Sequence, residues 1–271
     1  MFGWISRDAV PSDHRIAWIL DVYRWLLARL GGFDTFRRSL LLLPIPEHYP
    51  VAVDDPDKIA SAMFELTRKY AGMSEWPCEL KPHDDAPSAG DLLGNVPHSS
   101  RSAGAAGTFQ VDAEARRITI TYSPRSLRDP ESFVATIAHE LSHYLLASLR
   151  DPPPGGTAEA EHATDVTAVF LGFGVFLANS AVAFSQFQDA TMQGWRMERC
   201  GYLTEQELAY ALGVFLLLLE IPASRARQHL KTNPSSYLKH ALRDLAKHRK
   251  AELDAMRNIA ALEVADTPSC A

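Results

Sequence analysis

The chain has 271 residues, of which 46% are hydrophobic and 22% charged, values typical of a globular protein with a substantial core. Its 27 basic and 33 acidic residues give a formal net charge of −6, which argues against general affinity for nucleic acid. The three cysteines are far apart, and none belongs to a C-x-x-C pair. This pattern excludes a disulfide scaffold and a cysteine-rich zinc finger, and it favours a reducing, cytoplasmic location.

The N-terminal part of the chain is predicted to be helical. Apolar residues recur at helical spacing over residues 13–30, and Gly31-Gly32 ends the pattern. This stretch contains charged side chains and no small-residue cleavage site follows it, so it does not resemble a secretory signal. A second helix is predicted over residues 57–70. Residues 82–107 are rich in Pro, Gly, Ser and Ala, and we expect a long surface loop there.

A change of periodicity then predicts a hairpin followed by a long helix. Residues 108–111 and 117–122 are short runs rich in Thr, Ile and Val, separated by a turn-like segment. The helix is predicted over residues 130–148. Asp129 suits its N-cap, and Pro130 suits its first position.

A third helix is predicted over residues 158–184. Its segment 166–184 contains no Asp, Glu, Lys or Arg and is long enough to span a bilayer. A helix buried in a protein core has the same composition. We favour burial, because no basic cluster flanks the segment.

The C-terminal part of the chain is also predicted to be helical. Thr204 and Glu207 form a capping-box pattern before the apolar run at residues 208–219. Residues 223–250 contain eight Lys or Arg and one acidic residue. We favour a solvated helix face for this basic segment, and a surface for RNA or an acidic partner is the alternative.

The sequence His139-Glu140-Leu141-Ser142-His143 is an H-E-x-x-H motif on the predicted helix 130–148. Residues four apart lie one turn apart on one helix face, so His139 and His143 are placed to bind one metal ion. Glu140 is placed to act as a base on a water at the metal. The alternative is a solvated polar face, and the otherwise apolar character of this helix argues against it.

Two acidic residues at the start of the next helix are candidates to complete the site. Glu161 follows His143 by eighteen residues, and Asp165 lies one turn further on the same face. Glu161 suits the third ligand, and Asp165 suits an acceptor for the outer N–H of a ligand histidine. The alternative is a pair of acids favoured by the helix dipole. His162 is a rival ligand, but it points about 100° around the helix from Glu161.

H-E-x-x-H followed by E-x-x-x-D resembles the zinc-binding signature of the gluzincin branch of zincin metallopeptidases, the thermolysin-like arrangement. The resemblance covers residues 117–165. It implies zinc bound by both motif histidines and Glu161, with Glu140 as general base and Asp165 orienting a ligand histidine. It also implies that the strand at residues 118–122 lies beside the active-site helix and pairs with extended peptide substrate.

The resemblance carries over no residue that stabilises the transition state. Arg196 and Tyr202 lie in a loop-like stretch and are candidates for stabilising an oxyanion. Packing at a helix junction is the interpretation that we favour for both.

We therefore expect an α-rich α+β, zincin-like fold, with a small sheet or hairpin over an active-site helix and additional helices. The expected single domain has an N-terminal helical arm at about 1–47, a metallopeptidase core at about 50–222 and a C-terminal helical extension at about 223–271. The expected function is a cytoplasmic Zn²⁺-dependent peptidase acting on a peptide or protein. No specific nucleic acid and no membrane is an expected partner. The alternative is a regulatory or binding protein that retains the scaffold and metal without significant peptidase activity.

Overall fold

The computed structural model describes residues 9–51, 55–82, 107–112, 117–189 and 203–262. The helices in these residues are α1 (Asp13–Arg29), α2 (Gly32–Phe36), α3 (Pro56–Tyr70), α4 (Pro130–Ala147), α5 (Ala160–Ala168), α6 (Gly174–Asp189), α7 (Glu205–Leu218), α8 (Ala223–Arg227), α9 (Thr232–His248) and α10 (Lys250–Met256). The strands are β1 (Cys78–Pro82), β2 (Gly107–Asp112) and β3 (Arg117–Tyr122). The described residues are thus mostly helical, in agreement with the α-rich expectation. Most of the loop predicted at residues 82–107 lies outside the described residues.

The three strands form one sheet in the order β1-β3-β2. β2 and β3 pair antiparallel, which confirms the predicted hairpin, and β1 pairs parallel with β3. Tyr122 of β3 is therefore opposite both Pro82 and Gly107. Because both edges of β3 are occupied, an extended peptide cannot pair with this strand, and the expectation drawn from the resemblance is wrong on this point. In the described sheet the edge strands are β1 and β2, and β2 contacts α4.

Helix α4 begins where the sequence predicts and lies within the core. The Asp129 side chain accepts a hydrogen bond from the backbone N–H of Ser132 at 3.2 Å, and Pro130 occupies the first turn. All ten side chains of residues 133–142 are buried. Buried polar groups need partners, so the polar side chains in this part of α4 depend on neighbouring elements.

The predicted helix at 158–184 is interrupted in the structure. A π-helical turn, Val169–Phe173, separates α5 from α6, and Gly172 within it has φ of 105°. The backbone N–H of Leu42 donates to the Gly172 carbonyl at 3.0 Å. A Cβ at Gly172 would lie 2.1 Å from the carbonyl oxygen of Leu40. Residues 40–42 can therefore approach this helix closely only because position 172 is a glycine and the helix is interrupted there.

Residues 166–181 of the charge-free segment lie inside the fold. The helical stretch Gly156–Ala181 is long and apolar enough to span a membrane by length and composition, with a mean hydropathy of 1.3. However, 94% of the most apolar 18 residues in this stretch are buried within the protein, as in a core helix. The preferred interpretation of the segment as a buried helix agrees with this packing.

Helices α1, α7 and α9 complete the core around α4. Helix α7 begins with the predicted capping box, in which Thr204 and Glu207 bond each other's backbone N–H. The buried Tyr23 of α1 donates its hydroxyl to the backbone oxygen of Ala211 in α7 at 2.8 Å. On another side of α7, Gly213 lets α9 approach closely, since a Cβ there would lie 3.0 Å from Leu245. One hydrophobic core therefore includes side chains from both ends of the described chain.

Candidate metal centre

Helices α4 and α5 bring the three predicted metal ligands together. His139 Nε2 and His143 Nε2 are 3.1 Å apart. Glu161 Oε2 lies 3.4 Å from His139 Nε2 and 3.2 Å from His143 Nε2. The three ligand atoms thus form a nearly equilateral triangle, as expected of a group that can hold one metal ion.

The size of this triangle fits a tetrahedral zinc ion. Zinc binds imidazole nitrogen and carboxylate oxygen at about 2.0–2.2 Å, and a tetrahedral angle then separates two ligand atoms by about 3.3–3.5 Å. The three separations of 3.1, 3.2 and 3.4 Å lie close to this range. Two histidines and one carboxylate also match the ligand set of catalytic zinc sites that keep a fourth position open.

Both histidines are held so that Nε2 faces the shared point. Asp165 Oδ1 lies 2.8 Å from His139 Nδ1 and, as a carboxylate, accepts the proton of that nitrogen. Thr164 Oγ1 donates to the Ala160 carbonyl at 2.9 Å, and it therefore accepts from His143 Nδ1 at 3.2 Å. In the neutral imidazoles these bonds leave the Nε2 lone pairs available to a metal.

Sequence reasoning placed Asp165 in this role and missed Thr164. The signal for Thr164 was its position, three residues after Glu161 and therefore on a neighbouring part of the same helix face. A threonine hydroxyl is too common on helices for this spacing alone to identify it.

The electrostatics of the cluster favour a positive charge among the ligand atoms. Burial works to lower the pKa of His139, but hydrogen bonds to Asp165 and Glu161 raise it to about 10. Hydrogen bonds from His139 and His143 in turn lower the pKa of Glu161 well below its usual range. A metal cation bound there would replace the proton on His139 and satisfy the same acceptors.

Glu140 lies beside the ligands and is not one of the three. The residue is only 6% exposed, and burial raises the pKa of its carboxyl group, while the charges of His139 and His143 act in the opposite direction. A carboxyl group whose pKa is raised by burial is suited to exchange a proton.

The cluster is open to solvent on one side. The side chain of His139 is 5% exposed, whereas that of Glu161 is 46% exposed. The ligand atoms therefore lie near the protein surface, where a water or a substrate group has access.

The other sequence candidates lie elsewhere or outside the described residues. His162 turns away from the triangle: its Nδ1 lies 2.7 Å from Glu159 Oε2, and its ring packs edge-on against Trp18. Arg196 and Tyr202 lie outside the described residues. The next residue, Leu203, donates its backbone N–H to Asp165 Oδ2 at 2.8 Å.

No protein-family model, no curated protein and no solved structure matches this chain. The zincin resemblance therefore rests on the sequence motif and on the cluster of His139, His143 and Glu161.

Proposed function

We propose that the chain is a zinc-dependent peptidase. The observation that carries the proposal is the triangle of His139, His143 and Glu161, together with the buried Glu140 beside it. The Nδ1 partners of both histidines support the proposal, because partners of this kind orient metal ligands and raise their basicity. A purely structural zinc site is disfavoured, since such sites usually have four protein ligands and are rich in cysteine.

Zinc, when bound, would polarise the scissile carbonyl and lower the pKa of the attacking water. Glu140 would accept the proton of that water and deliver it to the leaving amine. Because burial raises the pKa of this carboxyl group, it can hold the proton between the two steps. Asp165 and Thr164 would keep the two imidazoles fixed throughout.

The sheet provides a second element of the proposal. An extended peptide adds to a sheet by pairing with an edge strand. Since β3 is paired on both sides, we assign this role to the edge strand β2, which contacts α4. The proposed substrate is accordingly a peptide or an extended segment of a protein.

The proposed location is the cytoplasm. Cys78, the cysteine within the described residues, has a free thiol, and its pKa is raised to about 11 by burial. An unreactive free thiol and the absence of a C-x-x-C pair in the sequence suit a reducing compartment.

The decisive experiment is the Glu140→Gln substitution. This change removes the base and keeps the shape and the ligands, so one zinc per chain should remain while peptide cleavage falls by about 10² or more. Cleavage of a peptide library is measured for both proteins, with Glu65→Gln on the exposed face of α3 as the matched control. Equal cleavage rates for wild type and Glu140→Gln would exclude the mechanism.

A second candidate is a regulatory or binding protein that retains the metal site. Its support is the basic face of α9, on which Lys239, Arg243 and Lys247 are exposed. Asp244, the one acidic residue at positions 223–250, instead accepts a hydrogen bond from the Tyr210 hydroxyl at 2.8 Å. If wild type binds zinc and cleaves nothing in a broad library, this candidate replaces the peptidase.

A further inference from the structure

Arg15, near the start of α1, joins the two helices that border the candidate metal centre. Its Nη1 donates to Glu159 Oε2 at 2.9 Å, just before α5. Its Nε donates to Glu207 Oε1 at 2.6 Å, in the first turn of α7. The guanidinium lies over the ring of Trp18, 4.4 Å from the centroid. The Arg15 side chain is only 19% exposed, so both ion pairs are largely shielded from solvent.

On the α5 side, these contacts hold the residues on either side of Glu161. Glu159 lies two residues before Glu161, and His162 directly follows Glu161. Glu159 also accepts a hydrogen bond from His162. Trp18 packs against His162 and donates its indole N–H to the Pro154 carbonyl at 2.9 Å. Helix α1 therefore fixes the backbone that carries the third ligand.

On the α7 side, the contacts lead back to the metal centre. Glu207 Oε2 accepts from the Thr204 backbone N–H and hydroxyl, each at 2.9 Å. The preceding Leu203 donates its N–H to Asp165, whose other oxygen holds His139. These contacts thus connect Asp165 of α5, which holds His139, to the start of α7, and Arg15 connects α7 back to Glu159 at the start of α5.

Arg15 is the cation between two carboxylates in this chain of contacts. Without it, Glu159 and Glu207 would face each other, partly buried, with no guanidinium to compensate their charges. The two carboxylates would then separate, and the start of α5 would move with Glu159.

We propose that Arg15 is a positioning residue for the metal centre. It holds the start of α5 so that Glu161 meets His139 and His143 before a metal ion arrives. This inference rests on the metal site of the proposed function. Loss of a group that orients a metal ligand typically weakens metal binding by about 10- to 100-fold, and we expect this range for the loss of Arg15.

The test is a Co²⁺ titration of the full-length, metal-free chain, followed by Zn²⁺ competition. Visible absorption of bound Co²⁺ reports the coordination geometry independently of activity, and circular dichroism checks the fold. Arg15→Met should weaken binding by about 10- to 100-fold and alter the Co²⁺ spectrum, whereas Arg15→Lys should restore part of the affinity. The control is Arg24→Met on the same helix, since Arg24 pairs only with Asp21 among the described ion pairs and is 37% exposed.

Wild-type affinity and spectrum in Arg15→Met would overturn the inference while leaving the metal site intact. If wild type itself binds neither Co²⁺ nor Zn²⁺, the proposed site and this inference both fail. If Arg15→Met does not fold, Glu207→Gln replaces it, because the amide oxygen of glutamine can keep the capping box while the charge and the acceptor that face Arg15 are lost. Unchanged metal affinity in that variant would likewise overturn the inference.

Discussion

Asp165 and His139 lie on different helices, and Oδ1 of Asp165 accepts a hydrogen bond from Nδ1 of His139 at 2.8 Å. Both side chains are almost completely buried. The second oxygen of Asp165 accepts the backbone N–H of Leu203. One carboxylate therefore orients an imidazole of the candidate metal centre and fixes the chain that enters α7.

Asp165→Asn should leave one of these two hydrogen bonds unmade. An amide has one acceptor oxygen, so it can serve His139 or Leu203 and leaves the other N–H facing its NH₂ group. We expect zinc affinity to fall by about 10- to 100-fold without complete loss of binding. Competition with a chromophoric chelator measures the affinity, and Asp21→Asn on the exposed face of α1 is the control. Unchanged affinity would remove Asp165 from the site.

Purified wild type should contain about one zinc ion per chain, and His143→Ala should lose it, because two protein ligands rarely retain zinc. Elemental analysis gives the stoichiometry. His248→Gln is the matched control, since this histidine is exposed in the last turn of α9. Full zinc occupancy in a His139→Ala, His143→Ala double variant would place the metal elsewhere.

The stabilisation of the chain by zinc should increase with pH. In the metal-free chain the pKa of His139 is raised to about 10, above the value of about 6.5 expected when unfolded. Its protonation therefore stabilises the metal-free fold fully below pH about 6.5, and this contribution is lost as the pH rises towards 10. Zinc requires the neutral imidazole, so its affinity rises over the same interval.

The difference in Tm between zinc-loaded and chelator-treated protein should accordingly grow from about pH 6.5 to about pH 9. Thermal unfolding at several pH values measures it. The His139→Ala, His143→Ala variant should show no such difference at any pH. A difference that shrinks with rising pH would contradict the protonation scheme.

Gly172→Ala should destabilise the fold more than Gly72→Ala does. Both glycines have positive φ, 105° and 73°, but an added Cβ at Gly72 meets nothing within 4 Å. At Gly172 it meets the Leu40 carbonyl oxygen, so the loss in unfolding free energy should exceed the roughly 1 kcal/mol of an unfavourable φ alone. Urea unfolding of the two variants compares them. Equal losses in unfolding free energy would show that residues 40–42 can shift away from the added Cβ without destabilising the fold.

The start of α4 and the capping box of α7 were predictable because their signals are local. Asp129 and Pro130 specify the start of α4 within two residues, and Thr204 and Glu207 specify that of α7. The ligand cluster was also predictable in part, since helical spacing places His139 and His143 on one face. The contact of α5 with α4 was inferred from the need of such a site for a third ligand, which Glu161 suits, and from the resemblance.

The features that sequence reasoning missed depend on long-range contacts. β1 is a short segment ending at Pro82, and its partner β3 lies about forty residues further along the chain. The break at Gly172 is imposed by Leu40 and Leu42, which are remote in sequence. Arg15 resembled an ordinary charged residue on an amphipathic helix, because its carboxylate partners lie 144 and 192 residues away.

The burial of Tyr23 bears on how this chain can be divided. Its ring packs against the rings of Phe36 and Phe170, and its hydroxyl donates to the backbone oxygen of Ala211 in α7. The N-terminal helix α1 is therefore part of the core, and we do not expect the residues around the H-E-x-x-H motif to fold without it. A fragment limited to residues 50–222 would expose the apolar side chains that pack against α1 and α9, so we expect the stably folded unit to include both helices.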